Sequence, residues 1–186
     1  KFFLDVYVAG LYLPSTSHDA AAIVSADEIQ SVQLVITSSK ITRDRLLEAI
    51  DEGIHKSAGQ DYPRFQPRMQ ELWDAITFEV KPGDIFSFTY IPGEGTHVAM
   101  NGKELRVLPE FDFKKVLFGI WLGPDPIQSS LKKDMLARGL PLPGSARPEP
   151  IRPDAGQGLK VPSDAELDKV MTMFEKYYTK EQLETL

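Results

Sequence analysis

The chain contains no cysteine, only three histidines and no cluster of basic residues longer than a pair. Without cysteine there are no disulfides, thiol chemistry, zinc ribbons or cysteine-held iron–sulfur clusters. The histidines, His18, His55 and His97, are too scattered to give metal-ligand spacing, so no metal site is expected. A formal net charge of −6 argues against nucleic acid, whose binding is driven by neutralising phosphates with Lys and Arg. No apolar run approaches the roughly 18 residues that a spanning helix needs, so no transmembrane segment is expected. Phosphate-cradling glycine loops ahead of a helix and G-x-S-x-G elbows are also absent.

What is present is enough for a packed domain. Of the 186 residues, 42% are hydrophobic and 26% charged. Residues 2–13 read as a strand ending at Pro14, with Val6, Val8, Gly10 and Tyr12 on one face. Residues 19–25 suit a short helix and 31–38 a second strand. Thr42 opens a helix whose Leu46, Leu47, Ile50 and Ile54 recur at helical spacing. A further helix is expected over 65–75, with Pro67 near its first turn. Strands over 84–92 and 96–102 flank Pro92-Gly93-Glu94-Gly95, and a short strand follows Asn101-Gly102, giving two hairpins. Residues 111–123 read as a mostly buried helix stopped by Gly123 and Pro124, and another helix follows. This pattern is α+β, an antiparallel sheet with helices packed on one side.

After this domain, 1–139, residues 140–162 are rich in Pro and Gly and read as a linker or extended arm. Residues 163–186 then read as an amphipathic helical extension. Ser163 and Glu166 have capping-box spacing, and Leu167, Val170, Met171, Phe174 and Tyr178 make one apolar stripe. That stripe is expected to dock on its own domain or in a dimer.

Single residues with chemical potential have plain alternatives. Glu48, Asp51 and Glu52 alternate with Arg43, Arg45 and Lys56, as on a solvated, ion-paired helix face. Thr37 and Ser39, between strand and helix, are able to donate hydrogen bonds into a cleft or to cap the loop. His55, near a helix end, suits the helix dipole; its sharper role is as an axial haem ligand. Haem is the one cofactor this leaves open.

Three ordered motifs go further. "FFLDVYVAGLYLP", "KPGDIFSFTYIPGEGTHVAMNGKEL" and "LFGIWLGPDPIQSSLKKDML" together resemble the chalcone isomerase-like family, especially its bacterial branch. The resemblance implies an open-faced β-sandwich, a curved antiparallel sheet with a helical layer on its concave face and a ligand cleft between them. It also implies a strand ahead of Lys1 that carries a cleft arginine and, in bacterial members, a signal peptide. On that basis a periplasmic or exported location is expected, with the cytoplasm as the alternative.

The isomerases' cleft threonine would align with Val6, their tyrosine with Arg45 and their asparagine with Glu52. A polar residue on the late helix would fall near Phe113 or Lys114. None of these matches, and ring closure needs such donors. The resemblance therefore implies a non-catalytic protein holding a hydrophobic small molecule, such as a fatty acid. Val6, Val8, Tyr12, Thr37, Ser39, Arg45, Phe113 and Leu117 are the expected ligand-binding residues, with Arg45 the anion partner at the rim. The alternatives are an isomerase acting on a chalcone-like substrate and a haem protein using His55.

Overall fold

A computed structural model describes residues 7–137 and 140–141. In chain order the elements are β1 (Tyr7–Leu13), α1 (Ala20–Ser25), β2 (Gln30–Ile36), α2 (Arg43–Ala58) and α3 (Tyr62–Ala75). They continue with β3 (Ile85–Ile91), β4 (Gly95–Met100), β5 (Lys103–Leu108), α4 (Phe111–Leu122), α5 (Ser129–Ala137) and β6 (Leu140–Pro141). Val6 and the 142–162 and 163–186 segments lie outside the described residues.

One sheet runs in the order β5-β4-β3-β2-β1-β6. Its first five strands are antiparallel, and the two-residue β6 adds in parallel at Tyr12 and Leu13. The β3–β4 turn carries Gly93 and Gly95 at φ 80° and 118°. A Cβ on Gly95 would stand 2.4 Å from the carbonyl oxygen of Leu108, so only glycine fits there. Asn101 and Gly102, both with positive φ, make the second hairpin.

The helices follow their local signals. Asp19 caps α1, its Oδ1 accepting from the N–H groups of Ala21 and Ala22 at 3.0 and 3.1 Å. The Thr42 hydroxyl accepts the Arg45 N–H at the start of α2. α2 buries Leu46, Leu47, Ile50 and Ile54, as their spacing predicts, and also Gly53. α3 begins earlier than expected, at Tyr62, after a short 3-10 turn over Gly59–Asp61. Pro63 therefore occupies its first turn and Pro67 lies inside the helix, where the missing N–H forfeits a bond.

The core lies between one face of the sheet and the helices. β2 sets that face, since Val32, Leu34 and Ile36 are all buried and point to one side. Its register with β1 pairs Tyr7, Ala9 and Leu11 with Ile36, Leu34 and Val32. The odd-numbered residues of β1 therefore face the helices, and Val8, Gly10 and Tyr12 face the other way. This reverses the expectation that Val8 and Tyr12 line a sheet–helix cleft; Val8 is 60% exposed.

α4 crosses this core and is apolar on nearly every side. It meets α2 closely through two glycines. A Cβ on Gly53 would come within 2.6 Å of the Ile120 side chain, and one on Gly119 within 2.0 Å of the Ser57 hydroxyl. Small residues at both crossings let the backbones approach, which holds α4 down against the sheet.

Candidate functional site

The layer between sheet and helices has an aromatic wall. Phe86 and Phe88 from β3 and Phe113, Leu117, Phe118 and Trp121 from α4 are all buried in one hydrophobic cluster. The rings of Phe88 and Trp121 lie 5.9 Å apart, and those of Phe65 and Phe113 6.2 Å apart. At the Trp121 end, the indole N–H points at the Tyr7 hydroxyl over 3.4 Å. Burial raises the Tyr7 phenol above its ordinary pKa, the Trp121 contact opposing this.

The other end of α4 is polar. Lys114 is wholly buried, and its Nζ donates to the carbonyls of Ile23, Val24 and Ala26 at 3.0, 2.9 and 2.8 Å. These are the last carbonyls of α1 and its cap, so the ammonium closes that helix end. The rings of Phe118, Tyr90 and Phe111 surround it at 5.2, 5.5 and 5.5 Å. Burial pushes the Lys114 pKa down to about 8. Tyr90 donates its hydroxyl to Asp27, and burial followed by that bond pushes its pKa up to about 12.

Tyr90 is the middle of a cross-strand row. Gln30 of β2 pairs with it on one side and Thr96 of β4 on the other, all three on the helix-facing side. Gln30 Oε1 and Thr96 Oγ1 are buried without a hydrogen-bond partner. The sequence reading missed this cluster. Its signal was the 3-4-7 spacing of Lys114 with Leu117, Phe118 and Trp121, which places the lysine on α4's buried face.

Of the expected ligand-binding residues, the structure brings Phe113 and Leu117 together in this layer. Val8 and Tyr12 lie on the far face of the sheet, where the Tyr12 ring lies over Gly10, 3.1–3.4 Å from where a Cβ would stand. Beside it on that face, the Ser31 and Thr89 hydroxyls are 2.9 Å apart. Thr37 and Ser39 are exposed in the loop after β2. Arg45 is exposed too, and donates Nη1 to the Lys40 carbonyl at 2.9 Å, tying down its own loop rather than reaching the layer.

His55 does not face the layer either. It is exposed and packs edge-on against Tyr62, ring centroids 4.7 Å apart, beside an open groove of about 560 Å³ along α3. Among the described residues no group of three or more His, Asp or Glu side chains is gathered as a metal site would require.

No curated protein matches the chain. Among solved structures, a fatty-acid binding protein of Arabidopsis thaliana is similar to it, with a TM-score of 0.52 and 17% identity. The likeness covers 63% of this chain and spans 59% of that protein, and it establishes the fold, an open curved sheet with helices on one side. Residues 1–137 match the chalcone isomerase-like family. With that match added to the sheet, its hairpins and the α4 layer, the chain belongs to the chalcone isomerase-like family.

Proposed function

We propose that this chain is a non-catalytic binding protein for an elongated apolar molecule, a fatty acid above all, held between the sheet and α4. The observation that carries this reading is the aromatic and aliphatic wall running the length of α4 against β3. Binding sites for such molecules are lined mainly by apolar groups with a few placed polar ones, and this layer has that composition. The similar plant protein binds fatty acids, which supports the same class of ligand here. At the Lys114 end, Lys114 is engaged with carbonyls and Tyr90 with Asp27. They are therefore not poised to activate a substrate carbonyl.

Side chains fill the layer, so a ligand enters by displacing an element. α1 is the candidate, a helix of six residues that buries only Ile23. The family resemblance also supports an exported, periplasmic protein, which fractionation of expressing cells checks. No helix among the described residues is long and apolar enough to cross a membrane.

Native mass spectrometry of protein purified without detergent and then given dodecanoate tests the reading. One acyl chain retained per protein is expected; a protein that takes up nothing overturns it. In the same preparation chalcone should cyclise at its spontaneous rate, and turnover above that rate overturns the non-catalytic half.

A further inference from the structure

We propose that Lys114 is both the head-group site for that ligand and the latch that holds α1 in place. A carboxylate entering the layer takes the Lys114 ammonium from the carbonyls of Ile23, Val24 and Ala26, and α1 is released to admit the chain. This rests on the binding function proposed above.

The geometry makes the two roles one. An ammonium has three N–H donors, and all three are used on carbonyls at the end of α1. An anion is therefore bound only if some of those bonds are given up. What they hold is slight, because α1 is six residues long and a helix of that length does not persist without tertiary support.

The ammonium also lacks a partner of opposite charge. Asp27, the nearest acid in the following loop, accepts from the Tyr90 hydroxyl, and no carboxylate forms an ion pair with Lys114 among the described residues. Carbonyl dipoles and ring faces are weaker compensation for a buried cation than a carboxylate. On the sheet beneath, Gln30 Oε1 and Thr96 Oγ1 flank Tyr90 with unused hydrogen-bonding capacity. The threonine hydroxyl is a donor, and the glutamine amide becomes one by turning over. From this end the wall of Leu117, Phe118 and Trp121 leads away along α4 and gives an acyl tail its path.

The electrostatic surroundings agree. Burial lowers Lys114 to about 8, Asp27 and Glu28 in the loop pull it up, and Lys115 on its own helix pushes it down. β3 contributes Tyr90, and α1 presents carbonyls, its acid Asp19 standing at the opposite end of that helix.

The test compares dodecanoate with dodecanol on the full 186-residue chain, wild type and Lys114→Met, at pH 7 and pH 9.5. At pH 7 the wild type should bind the acid at least about tenfold more tightly than the alcohol, as a charge-assisted bond implies. The acid should raise hydrogen exchange at amides 20–29 more than the alcohol does, since only the acid takes Lys114 from the α1 carbonyls. At pH 9.5 acid affinity should fall by about thirtyfold, since Lys114 must first regain its proton, and alcohol affinity should hold. Lys114→Met should lose the preference and keep the alcohol.

Equal affinity for acid and alcohol at pH 7 overturns the latch and leaves the binding function standing, as does an acid preference that survives Lys114→Met. Uptake of neither probe overturns the function and the latch together. Should Lys114→Met not fold, the wild-type pH comparison decides, and an acid preference unchanged at pH 9.5 overturns the latch.

Discussion

The two faces of this sheet are made by the same strands and do opposite things. Toward the helices, β2 and β3 present Val32, Leu34, Ile36, Phe86 and Phe88, all nearly inaccessible. On the far face the alternate residues are Ser31, Gln33, Ser87 and Thr89, and the Ser31 and Thr89 hydroxyls pair with each other. His97, on the same face of β4, stands between Glu94 and Glu104 at 3.0 and 2.8 Å. An apolar ligand has affinity for only one of these surfaces, and it is the one that also holds the fold together. Binding and folding thus draw on the same apolar area, so a ligand must displace packed groups, and a polar latch at one end of the layer is a sensible place to control that exchange.

Breaking the helix-facing side should have the largest effect. Phe88→Ala removes a ring packed on Trp121 and should cost about 3–5 kcal/mol in denaturant unfolding. A loss below about 1 kcal/mol would mean that the layer is already loose and binding needs no displacement.

The next largest effect is in pH. Lys114 titrates at about 8 in the folded chain against 10.5 in an ordinary lysine, so between those values the unfolded chain binds more protons. Stability should therefore rise by about 2–3 kcal/mol from pH 7 to pH 10, a rise that Lys114→Met should abolish. Above pH 10 the sign reverses, because Tyr62 and Tyr90, held up to about 12, keep protons that the unfolded chain gives up.

Gly53→Ala should cost about 1–3 kcal/mol, since its methyl would meet Ile120, a buried branched side chain with little freedom to turn aside. Val8→Ala, on the far face, should change stability by no more than about 0.5 kcal/mol. A large loss at Val8 would show that this face is a buried surface in its own right and would undo the comparison.

Much of the fold was legible because its signals are local. The α2 stripe, its start at Thr42 and the two glycine turns are set within a few residues, and each of these appears where its pattern put it. The facing of β1 was not legible, because tyrosine and aliphatic residues occur on both of its sides. Only the register with β2, where Gln33 alternates with Val32 and Leu34, decides it. Lys114 was hidden for a related reason. A lysine beside another lysine reads as surface, and it becomes a buried cation only because the carbonyls of α1, some ninety residues earlier in the chain, come to meet it. Arg45 misled in the opposite sense, since its nearest use is the carbonyl of Lys40 in its own loop.

The most direct test of the central claim is to find which face an acyl chain touches. In methyl-labelled protein with bound dodecanoate, intermolecular NOEs should run from the chain to the Leu34 and Leu117 methyls and be absent at Val8. NOEs to Val8 without any to Leu117 would place the ligand on the far face and contradict the account.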